Sequence, residues 1–272
     1  MLANFHTHTV WCDGKNTPEE MAEAAIAKGF GRLGFSSHLA FPESMEGYLS
    51  PDRALDYVRD VRRVAEKYAG RIEIFCGGEA DYIPGATTPE KSRYGFMGFD
   101  YLIGAVHFVA ADDGARVPVD DTPEKLARGI AEHFGGDARS FVERYFEQQI
   151  FMVEHFDFDV LAHPDLVRKF NAKHPYFDEA AEWYEALEAR LARSLAAGGK
   201  ATEVNTGAIA RGWLDDAYPA AGFRATLRKY GVKCILSSDA HAASGIDCAF
   251  DRFGGQENFL IFPLDKRPRN MI

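Results

Sequence analysis

His6 and His8 stand two residues apart near the start of the sequence, in NFHTHTVWCDG (residues 4–14). On a strand, residues i and i+2 share a face, so both imidazoles can reach one ion. In a chain with nine histidines an H-x-H is a weak signal by itself; its weight comes from where the other metal-capable side chains fall. Successive apolar runs end in His38, Glu79, His107, His163, Asn205, and Asp239 with His241. Imidazole combined with carboxylate suits zinc, manganese or iron. No single ion takes eight or nine such ligands, so two or three divalent ions are expected, with a carboxylate such as Glu79 able to bridge a pair. Paired ions activate a bridging hydroxide and clamp an oxyanion, as in many phosphoesterases.

The elements that must bring these residues together alternate between strand-like and helical patterns. Apolar runs over 2–5, 31–38, 71–82, 99–108, 156–165, 201–207 and 232–241 read as seven strands. Between them lie helical stretches: one opened by Thr17-Pro18-Glu19-Glu20, one from Ser50-Pro51 through Tyr68, a block over about 122–155 broken at Gly135-Gly136, one over 178–199 and one over about 219–230. Near-continuous apolar strands alternating with helices mean parallel strands covered by helices. With no linker-like stretch, residues 1–272 are expected to form one α/β domain, a seven-unit barrel, an open doubly wound sheet being the alternative. In a parallel barrel the C-terminal strand ends surround the active site, which is where these ligands stand.

Bulk properties narrow the partners. A formal charge of −10 and a pI near 5.4 argue against broad binding to nucleic acid or anionic membrane, but not against a small anionic substrate in a cleft with local cations. Cys12, Cys76, Cys234 and Cys248 form no C-x-x-C pair, which fits reduced thiols in a cytoplasmic protein. Neither a signal peptide nor a bilayer-length apolar run is apparent.

The motifs H-T-H-T with a following C-D-G, then S-S-H, G-G-E-A-D-Y, G-A-V-H-F, L-A-H-P-D, E-V-N-T-G and S-S-D-A-H occur in this order from about residue 3 to about 245. This series resembles the PHP (polymerase and histidinol phosphatase) family, and within it the histidinol-phosphatase branch. The resemblance implies a distorted seven-stranded (β/α)7 TIM-like barrel with a trinuclear centre. It also implies hydrolysis of a small phosphate monoester, L-histidinol phosphate first among them, late in histidine biosynthesis. By the same resemblance His6, His8, Glu79 and Asp239 hold the first ion; Glu79, His107 and His163 the second; Asp13, His38 and His241 the third. Some branches carry histidine where this chain has Asp13, which leaves the third site's affinity and metal preference open.

Phosphate oxygens not held by metals need donors, and arginine supplies a planar, always-charged fork. Arg168 and Arg211 follow His163 and Asn205 in loops where the resemblance places substrate-binding arginines. The expected catalytic set is therefore Glu79, Asp239, His241, Arg168 and Arg211, with Asn205 and Phe108 as further substrate contacts. Trp11 and Trp213 are other candidate walls for a substrate ring. His133, His155 and His174 lack a strand-end context and read as surface or capping residues. Asp81, Asp100, Asp165 and Glu203 read as supports for the ligands or as structural groups. Three rivals are a family phosphoesterase acting on nucleotides or another ester, a metal-binding barrel without catalysis, and an amidohydrolase-type barrel. The last normally has a carboxylated lysine bridge where this chain has Glu79.

Overall fold

The computed structural model describes residues 2–253. Its strands are β1 (Leu2–Asn4), β2 (Phe30–Leu39), β3 (Glu73–Asp81), β4 (Tyr101–Ala105), β5 (Phe108–Ala110), β6 (Arg116–Pro118), β7 (Val160–Leu161), β8 (Ala201–Asn205) and β9 (Cys234–Ser237). Seven of them form one sheet in the order β1-β2-β3-β4-β7-β8-β9, every neighbouring pair parallel. The edges meet just past their ends: Thr7 bridges Ala240 in parallel, and His8 N donates to Ala240 O at 2.9 Å. Buried Asn4 fastens the same seam, its Nδ2 donating to Ser238 Oγ at 2.6 Å and to Ile246 O at 3.0 Å. A bridge in place of a full ladder closes the barrel, and this is its distortion.

Local chemistry sets the helices. Before α1 (Pro18–Ala27), Thr17 and Glu20 form a reciprocal capping box with proline in the first turn, so two otherwise orphaned amides are satisfied. A 3-10 turn at Pro51–Arg53 leads into α2 (Ala54–Lys67), whose Tyr57, Val58, Val61 and Val64 are buried. α3 (Pro123–His133) and α4 (Ala138–His155) part at Gly135 and Gly136, with φ of 60° and 78°; left-handed backbone of this kind favours glycine. α5 (Glu182–Gly198), the one-turn α6 (Gly207–Ala210) and α7 (Ala221–Lys229) complete the outer layer around β8 and β9. Among the described residues no helix is long and apolar enough to cross a membrane.

The described residues form two cores. The larger lies between barrel and helices. The smaller fills the barrel with Phe5, Tyr101, Ile103, Val160 and Ile235. Tyr101 crosses the interior where β2 and β3 carry Gly34 and Gly77: a Cβ on Gly77 would sit 2.5 Å from its ring. Its hydroxyl donates to Phe5 O at 2.7 Å, with Phe35 O at 3.0 Å as a second acceptor. The barrel is a packed plug with a polar rim, not a pore.

Strand boundaries differ from expectation where the rim residues leave the ladder. The run 156–165 contributes two ladder residues, Val160 and Leu161, because Asp159 caps Leu102 N through its side chain at 2.9 Å and Pro164-Asp165 turns away. The run 232–241 stops at Ser237, since Asp239 adopts φ 50°. The β5–β6 hairpin, antiparallel with Val109 facing Val117, was not expected; it grows out of what read as the tail of strand four.

A candidate metal centre at the barrel rim

β2 and β3 pair in register with His38 opposite Glu79, which puts both side chains side by side on the rim. Glu79 is the hub. Its Oε2 lies 3.1 Å from His6 Nε2, 3.5 Å from His8 Nε2 and 2.9 Å from His38 Nδ1. Its Oε1 faces His163 Nε2 at 3.0 Å and His107 Nε2 at 3.6 Å. One carboxylate thus presents an oxygen to each of two groups of imidazoles, the disposition a bridging ligand requires. Asp239 Oδ1 approaches His8 Nε2 at 3.2 Å and His6 Nε2 at 3.7 Å. Asp13 closes the outer side, 3.2 Å from His241 Nε2 and 3.7 Å from His38 Nε2.

Whether these residues fit a cation is decided by their unused atoms. His6 Nε2, His8 Nε2, His38 Nδ1 and Glu79 Oε2 are buried and make no hydrogen bond despite their proximity. They converge on shared points instead of pairing. Orphaned buried polar atoms are rare and costly, and four directed at one another's neighbourhood fit bound ions. Three groupings of ligand atoms are close enough to hold an ion among the described residues: His6, His8 and Glu79; His38, Glu79 and His107; and His8, Asp13, His38 and His241. These overlap the three expected sets. In this geometry His8 also borders the outer set and His38 the middle one, while His163 reaches Glu79 by a hydrogen bond.

The ligands are held from behind. Glu203, fully buried, accepts from His6 Nδ1 on both oxygens at 3.1 and 3.0 Å, and also from His163 N, Asn205 Nδ2 and Ser237 Oγ. Asp81 Oδ1 takes His107 Nδ1 at 2.5 Å, and its Oδ2 takes the Tyr48 hydroxyl. Such contacts fix which ring nitrogen faces an ion. They also set the electrostatics. Burial alone would lower the His6 pKa, but Glu203, Glu79 and Asp239 raise it well above the ordinary value. Burial likewise opposes protonation of His38 and His107, yet Glu79 with Asp13, and Asp81 with Glu79, lift them to about 9 and about 10. His8 goes the other way, lowered by burial and by His241 and His38. Against the penalty of burial, these imidazoles hold Glu79 well below the usual carboxylate range, and Arg211 with His6 does the same for Asp239.

Above the rim lies a cavity of about 320 Å³. Asp13, His38, His107, His163, Asp239 and His241 form its floor, and Arg211, Lys169, Tyr218, Tyr48, Phe108 and Asp120 stand around it. Arg211 lines the cavity: Nη1 is 3.2 Å from Asp239 Oδ2 and Nη2 is 2.9 Å from His241 Nδ1. Gly207 makes room for it, since a Cβ there would meet Arg211 Nη1 at 2.5 Å and Asp239 Oδ2 at 3.0 Å.

Other expected contacts sit differently. Arg168 does not line the cavity; it is turned into the protein, with Nε on Glu179 Oε2 at 2.5 Å and Nη1 on Asp165 Oδ2 at 3.1 Å. The 3-10 turn Leu166–Arg168 rotates the loop so that the next residue, Lys169, faces the cavity. Asn205 spends both ends internally, Nδ2 on Glu203 at 2.7 Å and Oδ1 accepting from Gly207 N at 2.8 Å, so it shapes the α6 turn. Trp11 donates to Asp60 at 2.9 Å under Arg53, and Trp213 packs edge-on against Phe170; neither lines the cavity. His133 pairs with Asp113, His155 stacks on Phe151 and His174 is exposed. Asp100 serves Arg62 and the Cys76 amide, away from the rim. Tyr48, Asp120, Lys169 and Tyr218 escaped sequence reasoning because they come from loops and the hairpin; Lys169 alone had a signal, its place in the Arg168 loop.

A family model described as "PHP domain" matches residues 4–207. A protein of Deinococcus radiodurans named a probable histidinol-phosphatase is 28% identical over 259 residues, covering 92% of this chain and 90% of the relative. A Bacillus subtilis protein named histidinol-phosphatase is 22% identical over 263 residues, covering 91% and 96%. Among solved structures, a hisK structure from Listeria monocytogenes superposes with a TM-score of 0.83 at 19% identity, covering 93% of this chain and all (100%) of that one. A histidinol phosphate phosphatase of Lactococcus lactis, crystallised with zinc, L-histidinol and phosphate, gives 0.65 at 21% identity, covering 89% and 86%. At these identities the structural likenesses establish the fold.

Proposed function

Because this chain belongs to the PHP domain family, we propose that it is a metal-dependent phosphatase that hydrolyses a small phosphate monoester, with L-histidinol phosphate as the leading substrate, yielding L-histidinol and phosphate. The observation that carries this reading is the set of unpaired, buried ligand atoms around Glu79 lying directly beneath a cavity that holds Arg211. Relatives named probable histidinol-phosphatase and histidinol-phosphatase, matched over 90% and 96% of their length, support the substrate. On this reading residues 1–272 are one catalytic domain working in the cytoplasm on a small anionic ester.

His6, His8, Glu79 and Asp239 would hold one ion, Glu79, His107 and His163 a second, and Asp13, His38 and His241 a third, as zinc, manganese or iron. Ions bound there supply Lewis acidity to a phosphoryl group and lower the pKa of water. The chain's own residues do the rest. Glu203 and Asp81 keep His6 and His107 in the tautomer that leaves Nε2 free. Arg211 brings a guanidinium to charge building on the phosphoryl oxygens. His241 has two arrangements: its Nδ1 can accept from Arg211 Nη2 or donate to Asp239 O, also at 2.9 Å. When it donates to Asp239 O, Nε2 is free to act as a ligand and one N–H of Arg211 Nη2, which also contacts Asp239 O at 3.4 Å, is freed for a phosphate oxygen. Phe108 supplies an apolar face at the mouth for the leaving group.

The reading is checked by phosphate release from L-histidinol phosphate on the purified protein with Mn²⁺ or Zn²⁺. Turnover of nucleotides or phosphotyrosine, with none of histidinol phosphate, would overturn the substrate while leaving a family phosphoesterase. A metal-loaded protein inert to a broad panel of phosphate esters would overturn the enzyme reading altogether.

A further inference from the structure

We propose that the Tyr218 hydroxyl, together with the Lys169 ammonium, completes with Arg211 a phosphate-binding wall beside the metal centre. This rests on the phosphatase reading above. It assigns two residues that no motif marks and replaces Arg168, which is spent on Asp165 and Glu179.

Tyr218 is 1% exposed, it borders the cavity beside Arg211 and His163, and its hydroxyl has no hydrogen-bond partner. A buried hydroxyl left unsatisfied costs stability, so one retained at the edge of a ligand cavity points to a group that arrives with the ligand. Lack of a partner is not the whole argument, because Tyr184 is equally unpartnered; what sets Tyr218 apart is its place on the cavity wall. The residue is also fixed in position. Tyr218 N donates to Asn205 O at 2.8 Å and Tyr218 O accepts from Asn205 N at 2.6 Å, and the ring stands edge-on to His163 with centroids 6.4 Å apart. Burial first, then the charges of Asp165 and Asp120, keep the phenol protonated. It is therefore a neutral donor that an anionic oxygen can take without charge rearrangement.

Lys169 supplies the charge. It is 8% exposed and its Nζ donates to Asp120 O at 2.6 Å and Asp120 Oδ2 at 3.1 Å. An ammonium has three donors, so one N–H remains for a ligand while Asp120 holds the group in place. A guanidinium, an ammonium and a phenol lining one cavity match the phosphoryl oxygens that ions bound beneath would not take. The ligand class is a phosphate monoester or its product, inorganic phosphate.

The test measures binding of inorganic phosphate to the metal-loaded protein by calorimetry, alongside ester hydrolysis. Tyr218→Phe should weaken phosphate binding roughly ten- to hundredfold, as expected for losing a hydrogen bond to a charged group, with metal content intact and Tm unchanged or raised. Lys169→Met should weaken it at least as much, and Tyr184→Phe should change neither binding nor turnover. Phosphate bound by Tyr218→Phe as tightly as by the unaltered protein would overturn the proposal, the hydroxyl then serving an ordered water. If Tyr218→Phe loses metal or stability, a crystal structure of the unaltered, metal-loaded protein with phosphate decides. A Tyr218 Oη within about 3.2 Å of a phosphate oxygen supports the wall, and a water between them overturns it. The two readings fail separately: hydrolysis unaffected by Tyr218→Phe leaves the phosphatase without this wall, whereas weakened phosphate binding in a protein that cleaves no ester leaves the wall without the phosphatase.

Discussion

Glu203 never reaches the cavity, yet it touches His6, the His163 amide, Asn205 and Ser237 at once. Replacing it by glutamine keeps the shape and removes the charge that favours His6 Nδ1–H. Glu203→Gln should lower metal affinity about 10- to 100-fold, read by competition with a chelator, with the fold retained; unchanged affinity would mean that His6 is oriented by packing alone. The Arg168 side chain raises a separate question of stability. Its pair with Asp165 is buried, and removing one partner of such a pair strands the other. Arg168→Met is therefore expected to cost about 3–5 kcal/mol in denaturant unfolding; a loss below 1 kcal/mol would show that Asp165 is satisfied through the Ala220 amide at 2.8 Å. At this scale the sequence marked the imidazoles and carboxylates that converge around Glu79, because metal-ligating capacity is a property of residue type. It did not show which of two adjacent cations faces a ligand. One 3-10 turn settles Arg168 against Lys169, and its rotation has no signature in the neighbouring residue types.

α5 carries a buried acid into the outer layer. Glu188 is 6% exposed, and burial, then the nearby charge of Asp165, push its carboxyl up to about 8. An acid whose folded value is raised binds its proton more tightly when folded, so the unfolded chain gives it up first. Stability then falls as pH rises from the unfolded value near 4.5 to about 8 and stays lower above it. Glu188→Gln abolishes that dependence. Its Tm should match that of the unaltered protein near pH 4.5 and exceed it by roughly a few degrees above pH 8; equal Tm values at pH 8.5 would contradict the shift. Among the elements, the helices were well marked in the sequence: Thr17 with Glu20, and the glycine pair after α3, are local signals. Strand ends were less legible. The apolar middles of runs such as 156–165 read as continuous strands, but the backbones of their last residues leave the ladder to place His163 and Asp239, and a rim geometry of that kind is fixed by partners far along the chain. The β5–β6 hairpin was missed for a different reason: its two three-residue strands are too short to show a period.

Across the whole molecule, the centre joins residues 6 to 241, so bound ions would tie the first strand to the last where the barrel is closed by little more than one bridge. A ligand that binds the folded state alone stabilises it by about 2.7 kcal/mol at a hundred times its Kd. Stripping metal should therefore lower Tm, and restoring it should reverse the loss; a Tm indifferent to chelator would mean the seam holds without ions. Loading must also displace protons from His38 and His107, whose values lie at about 9 and about 10. Affinity should accordingly fall as pH is lowered. In a chain of net charge −10, Arg211 and Lys169 bring local positive charge to the cavity, where an anion can settle. The barrel as a whole was legible because seven apolar runs alternate with helical stretches and each ends in a polar, metal-capable or hydrogen-bonding residue, the pattern of parallel strands whose ends share one rim.

The central claim is that a metal centre around Glu79 hydrolyses a phosphate monoester. The most direct measurement follows phosphate release from L-histidinol phosphate and metal content on the same preparations: as purified, chelator-stripped, reloaded with Mn²⁺ or Zn²⁺, and with His8→Ala or Asp239→Ala. Rate should rise and fall with bound metal, and both variants should lose metal and at least 10³-fold in kcat/KM, or about 4 kcal/mol of transition-state stabilisation. Undiminished turnover in the stripped protein, or in a variant lacking His8 or Asp239, would contradict it.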